Sequence, residues 1–219
     1  MKHAISFLAE FFRNRRLTGS IIPSSRFLAQ ALAEPMSRCR ARKQVLEIGP
    51  GTGPVTVKIA EFLRPGDRFV MVEANPAFCE ILRTLCRTTL APRMEGVEVE
   101  IHCSLLEEVE TRAGFDFAVS GLPLNNFPVA VVRRILQAIE RLLGPDGTLS
   151  YFEYLGMRPL LGRLRMLTRG NPWPIRSSKV LDRFLDRHQV VEQRVLLNLP
   201  PAIVRHIRAP HAEEVPPRG

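Results

Sequence analysis

The residues with the clearest chemical content are Val45-Leu46-Glu47-Ile48-Gly49-Pro50-Gly51-Thr52-Gly53. A short run of β-formers enters a turn with glycine at every second position, and a helical pattern leaves it. Glycine lets the backbone bend sharply and lets a ligand approach with no Cβ in the way. Twenty residues beyond Gly53, Glu73 ends the next β-rich run, with Ala74 beside it. A carboxylate there can accept two hydrogen bonds from a ribose diol. The spacing is Gly-x-Gly-x-Gly, whereas dinucleotide sites favour Gly-x-Gly-x-x-Gly. Glu47 adds a negative charge beside the turn, which would repel a pyrophosphate and suits a positively charged ligand. Further on, Cys103-Ser104-Leu105 and Ser120-Gly121-Leu122-Pro123-Leu124 each follow or end a β-rich run. Tyr151, Tyr154, His102 and Glu153 are candidates for moving a proton, and no pattern singles out one of them.

These residues need elements to hold them. Gln44–Ile48, Arg68–Val72, Val97–His102, Asp116–Ser120 and Gly147–Tyr154 read as strands. Val55–Leu63, Pro76–Leu90 and Val129–Leu143 read as the helices between them. Such alternation indicates an α/β fold, a mostly parallel sheet covered by helices on both faces. Val180–Arg187 reads as another helix, and Val190–Leu197 with Ala202–Ile207 as a closing antiparallel pair. Leu155–Lys179, rich in Arg, Leu, Gly and Pro, reads as an insertion. Before the first strand, Ser24-Ser25 can cap a helix from Arg26 to about Arg42. Residues 4–16 predict another helix, with Ala4, Ile5, Phe7, Leu8, Phe11 and Phe12 in an arc of roughly 160°. Lys2, Arg13 and Arg16 lie on or beside its opposite face.

Composition bounds the function. The chain has 219 residues, 45% of them hydrophobic, which fits one packed domain with terminal embellishments. Cys39, Cys79, Cys86 and Cys103 form no Cys-x-x-Cys pair and have no histidine cluster, so neither a zinc site nor a disulfide framework is expected. No apolar run reaches the roughly 18 residues of a spanning helix, and Glu10 and Arg13 interrupt any signal-peptide core. The net charge of +9 is unevenly spread. Residues 1–43 hold nine Lys/Arg against two acids, residues 44–157 ten against fifteen, and residues 158–219 twelve against five. Basic flanks around an acidic centre suggest a polyanionic partner, either nucleic acid or an anionic membrane.

The order Glu47, glycine turn, Glu73 resembles the first motifs of class I S-adenosylmethionine-dependent methyltransferases. Their cofactor is a cationic sulfonium with a free amino group, which agrees with an acidic residue at the turn. That resemblance implies a Rossmann-like domain with a seven-stranded sheet. It implies cofactor contacts from Glu47, Gly49, Gly51, Gly53, Glu73, Ala74, Ser104, Leu105 and Ser120. The segment Arg13-Asn14-Arg15-Arg16-Leu17-Thr18-Gly19-Ser20-Ile21-Ile22-Pro23-Ser24-Ser25-Arg26-Phe27-Leu28-Ala29 further resembles the N-terminal signature of bacterial phospholipid N-methyltransferases. These convert phosphatidylethanolamine stepwise to phosphatidylcholine. Leu46–Gly53 and Ser120–Leu124 are similar to that family as well.

The resemblance implies a peripheral enzyme on the inner face of a cytoplasmic membrane, with a phospholipid substrate. Residues 1–43 would contact the bilayer and residues 44–219 form the catalytic domain, with 155–179 inserted. Phe7, Leu8, Phe11, Phe12, Arg13 and Arg16 would meet anionic lipid, and Met157–Leu167 repeats the apolar and basic mixture. Ser24, Ser25 and Arg26 would hold the lipid phosphate, unless Ser24 only caps the helix. Phe127, Tyr151, Phe152, Tyr154 and Trp173 would offer ring faces to the quaternary ammonium product. Tyr151, Tyr154, Ser120 and Leu122 would surround the reacting amine. A monomer, no metal and no nucleic acid partner are expected. Two rivals remain. An RNA adenine N6-methyltransferase shares the basic flanks and the glycine motif, but predicts an aromatic after Pro123, where Leu124 stands. A non-catalytic membrane-binding scaffold would have no need of Glu47, Glu73 and the three glycines.

Overall fold

The computed structural model describes residues 25–112, 114–124, 127–155 and 173–208, with backbone alone for 173–178. The expected helix over 4–16, with Phe7, Leu8, Phe11, Phe12, Arg13 and Arg16, lies outside these residues, as do Ser24 and most of the expected insertion.

In chain order the elements are helix α1 (Arg26–Ser37), strand β1 (Gln44–Ile48), helix α2 (Pro54–Ala60), strand β2 (Arg68–Val72) and helix α3 (Pro76–Arg87). Strands β3 (Glu98–His102) and β4 (Phe115–Ser120), helix α4 (Val129–Leu142) and strand β5 (Leu143–Tyr154) follow. Helix α5 (Trp173–Leu185), strand β6 (Gln189–Val195) and strand β7 (Ala202–Arg208) complete the set. The seven strands form one sheet in the order β3-β2-β1-β4-β5-β7-β6. β1 pairs in parallel with β2 (Leu46 opposite Val70) and with β4 (Leu46 opposite Ala118). β7 is antiparallel to both neighbours, Phe152 of β5 lying opposite its Val204. The expected α/β sheet with an antiparallel closing pair is therefore present.

Alternation along the strands sends successive side chains to opposite faces. Leu46, Ile48, Val70, Val72, Ala118 and Leu149 pack on one face against α4 and α5. Val45, Phe69, Met71, Phe117, Val119 and Phe152 pack on the other against α1 and α2. Helix α4 supplies Val131, Val132, Ile135, Leu136, Ile139 and Leu142 at helical spacing, which gives it one buried stripe. Helix α3 starts where Asn75 Oδ1 accepts the Ala77 N–H (3.0 Å), with Pro76 at its first position. Helix α1 buries Leu28, Ala29, Leu32, Ala33 and Met36 in the same cluster as β1. Residues 26–37 thus belong to the packed domain, and the expected division at residue 43 is not a packing boundary.

Several boundaries differ from expectation. Helix α1 stops at Ser37, short of Arg42; Pro35 lies in its last turns and the Ser37 hydroxyl bonds back to Glu34 O at 2.7 Å. Strand β5 begins at Leu143, so Gly144-Pro145-Asp146-Gly147 runs along β4 with a register irregularity between Phe115 and Phe117. Gly147 permits this, since a Cβ there would sit 2.7 Å from Phe115 O. Helix α5 begins at Trp173, seven residues before the expected start, inside the stretch read as insertion. Pro174 falls in its first turn, where no backbone N–H is required.

Candidate active site

All parallel strands end at one edge of the sheet, and the chain leaves β1 and β4 in divergent directions there. This is where α/β sheets open a ligand crevice. Gly49, Gly51 and Gly53 have φ of +65°, +61° and +89°, and Gly53 leads directly into α2. Gly49 N–H donates to Val72 O (2.9 Å), and Gly121 N–H donates to Ile48 O (2.9 Å). The end of β1 is thereby fastened on both sides. A Cβ at Gly49 would lie 2.3 Å from Leu122 Cδ2, so Leu122 closes over the turn and fixes its shape.

Glu73 is buried beside that turn. Its Oε2 accepts the Gly51 N–H (3.0 Å) and its Oε1 accepts the Asn75 N–H (2.8 Å). Burial raises its pKa above the ordinary range, and the backbone donors of Asn75, Gly51 and Ala74 oppose this. A carboxylate has about four acceptor positions, so this one braces the turn and keeps capacity for a ligand hydroxyl pair. Glu47 is fully buried on β1. Thr56 Oγ1 donates to its Oε2 (2.8 Å), while Oε1 has no hydrogen-bond partner among the described residues. Burial pushes the carboxyl up to about 8, against the Thr56 bond and with a smaller push from Glu73. A buried acceptor without a donor is costly, and a cationic donor at Oε1 would satisfy it.

Ala74, Ser104, Leu105 and Leu122 line a crevice with Gly49 and Glu73. Leu106, Glu107 and Ile135 line it too and carried no signal in the sequence. The Leu106–Glu108 turn places the first two, and an ion pair of Glu107 with Arg134 (3.1 Å) ties that turn to α4. Ser120 is buried, and its Oγ accepts the Leu122 N–H (3.3 Å), which orders the bend after β4.

The other candidates are dispersed. Tyr151 and Tyr154 fall on opposite faces of β5. Tyr151 is buried, and its hydroxyl donates to Glu153 Oε1 (3.3 Å). Glu153 also lies 2.9 Å from Arg205 Nη1. Burial first, and Glu153 next, push the Tyr151 phenol above its ordinary range. It stays protonated at neutral pH, a donor rather than a base. Tyr154 packs edge-on against Phe152 (5.2 Å between ring centres). His102 Nε2 pairs with Glu100 Oε2 at 3.0 Å. Phe127 and Phe152 are wholly buried in the two core clusters, so packing rather than an open ring face describes them here. Ser25 caps α1, its Oγ accepting the Leu28 N–H (3.2 Å), and the Arg26 guanidinium lies over the Phe27 ring. Trp173 opens α5. Among the described residues no cluster of His, Cys, Asp or Glu is arranged to hold a metal, and no helix is long and apolar enough to cross a membrane.

Residues 45–147 match the family described as a methyltransferase domain. An ornithine lipid N-methyltransferase of Singulisphaera acidiphila is 33% identical over 153 residues, covering 68% of this chain and 77% of that one. The chain belongs to the class I S-adenosylmethionine-dependent methyltransferases. Solved methyltransferases share the architecture. An O-methyltransferase from Bacillus cereus in complex with SAH superposes with a TM-score of 0.62 at 17% identity, over 93% of this chain and 90% of its own. The N-methyltransferase NodS of Bradyrhizobium japonicum gives 0.56 at 16%, over 85% and 98%. The cofactor of this methyltransferase is S-adenosylmethionine, and the residues present fit it. The unpaired Glu47 oxygen suits an ammonium, Glu73 has acceptor capacity for a diol, and the glycine turn leaves room for close approach.

Proposed function

We propose that this methyltransferase methylates the amine of a membrane lipid, phosphatidylethanolamine and its methylated intermediates, towards phosphatidylcholine. It would work as a monomer seated peripherally on the anionic inner face of the cytoplasmic membrane. The observation that carries this reading is the 33% identity to an enzyme named for N-methylation of a lipid. The N-terminal signature around Arg13–Ala29 and the basic flanks support it. Ornithine lipid itself is the second reading, favoured by that same relative.

In this reading Glu47 holds the cofactor's ammonium and Glu73 its ribose hydroxyls, while Ala74, Ser104 and Leu105 flank the base. The bound cofactor supplies an electrophilic methyl on a sulfonium. The lipid ammonium has to lose a proton before its nitrogen lone pair can attack. An apolar wall around the amine lowers the ammonium pKa, and Leu122 contributes to such a wall. Tyr151, protonated and hydrogen-bonded to Glu153, can donate but not deprotonate. Tyr154 and the acceptor atoms of the bend after β4 remain to orient the amine. Arg26, exposed at the start of α1, would meet the lipid phosphate by charge, while the Ser25 hydroxyl is engaged in capping the helix.

The test is incubation with labelled S-adenosylmethionine and one of three acceptors: phosphatidylethanolamine vesicles, ornithine lipid vesicles, or ribosomal RNA. Label in phosphatidylethanolamine is expected. Label in ornithine lipid alone moves the substrate to the second reading. Label in RNA alone would end the lipid proposal.

A further inference from the structure

The loop from β6 to β7 reads Leu196-Leu197-Asn198-Leu199-Pro200-Pro201. Its polarity is inverted. Asn198, its one polar side chain, is 5% exposed, while Leu196, Leu197 and Leu199 are 69%, 72% and 70% exposed. Asn198 is held inward from both ends. Its Oδ1 accepts the Ser25 N–H (3.1 Å) and its Nδ2 donates to Pro200 O (2.7 Å). In water, the hydrophobic effect drives a loop the other way. Single exposed leucines are ordinary, but three on one tip, displayed by an inward-facing asparagine, mark a surface meant for an apolar phase.

The position of the tip says which phase. β5 and β6 are both antiparallel to β7, so β6 runs with the parallel strands. Its end therefore lies at the sheet edge that carries the glycine turn and Glu73. The tip stands beyond β5, across β4 and β7 from the cofactor crevice, about 15–20 Å away by strand spacing. The Ser25 bond ties it to the start of α1. Two exposed cations adjoin these segments in sequence: Arg194, two residues before Leu196, and Arg26, next to Ser25. An apolar tip with adjoining cations is complementary to an anionic bilayer, whose headgroups carry the charge and whose interior accepts the leucines.

We propose that Leu196, Leu197 and Leu199 form a wedge that inserts into an anionic membrane and sets the cofactor edge of the sheet against the lipid headgroups. The inference rests on the lipid-amine reading and adds a second attachment point to the N-terminal segment. The wedge fixes which edge faces the bilayer, which a single amphipathic helix does not.

A Trp173→Phe/Leu197→Trp variant places the sole tryptophan on the tip. It is mixed with vesicles of phosphatidylethanolamine and phosphatidylglycerol, with and without brominated acyl chains. Blue-shifted emission that brominated chains quench is the expected result. Sedimentation with vesicles and a water-like, unquenched emission would overturn the wedge while leaving the membrane reading in place. Emission already blue-shifted without vesicles would overturn it too, because the chain itself would then cover the tip. No sedimentation of the wild-type protein would remove the membrane reading and the wedge together. Changing all three leucines to serine should reduce vesicle partitioning by about tenfold or more, with cofactor affinity unchanged. Partitioning equal to wild type would also overturn the proposal.

Discussion

Glu47 carries the most informative titration in the molecule. Its carboxyl is pushed up to about 8 from 4.5, chiefly by burial. The cofactor-free native state therefore holds a proton that the unfolded chain releases near pH 4.5. Between these values the native state binds more protons than the unfolded state, so stability falls as pH rises through that window. Glu47→Gln cannot titrate and should flatten the dependence. Urea unfolding at about pH 5.5 and 8.5, without cofactor, measures it. An unaltered slope would mean that another group causes the dependence. Under the proposed ammonium contact at Oε1, which favours the carboxylate, cofactor binding should release a proton near neutral pH, visible as a buffer-dependent binding heat. At Glu73 the expectation is different. Under the proposed ribose contact, Glu73→Ala removes a ligand acceptor as well as the bond to Gly51 N–H, so the cofactor Kd should rise about tenfold or more. Calorimetry showing an unchanged Kd would withdraw the ribose assignment.

Between elements, two junctions should dominate stability. Asp67 precedes β2 and accepts the Lys43 N–H (3.0 Å) and the Arg64 N–H (2.9 Å). Lys43 Nζ lies 2.6 Å from its Oδ2, and both side chains are out of water. Asp67→Ala would strand a buried ammonium, at about 3–5 kcal/mol. Replacing both partners with apolar residues should cost less than Asp67→Ala alone. Equal losses in thermal unfolding would show that the backbone bonds, not the ion pair, matter. The second junction is Gly49 under Leu122. Gly49→Ala combines a left-handed φ, worth about 1–2 kcal/mol, with a clash at 2.3 Å. Adding Leu122→Ala should recover the clash part only, which a double-mutant cycle separates.

The whole molecule carries +9, with the basic residues in its flanks. Attachment to anionic vesicles should have a screened part and an apolar part. Raising ionic strength from about 0.05 to 0.5 M should weaken association strongly, since the screening length falls to a few ångströms. Association indifferent to salt would assign attachment to apolar insertion alone.

The glycine turn, Glu47, Glu73 and the alternation of strands and helices were legible in the sequence because each is a local signal. Backbone bending needs glycine where it occurs, and burial periodicity is written residue by residue. The walls of the crevice were not legible. Leu106, Glu107 and Ile135 look like ordinary loop and helix residues, and only the packing of α4 against the turn after β3 brings them to the cofactor edge. Tyr151 and Tyr154 looked equivalent until the pleat of β5 separated them. The start of β5 at Leu143 was hidden because its glycines read as a turn, yet serve a close approach to β4. The sequence shows that Leu196, Leu197 and Leu199 are apolar. That they face outward was decided by Asn198, whose partners at Ser25 and Pro200 meet it only in the folded chain.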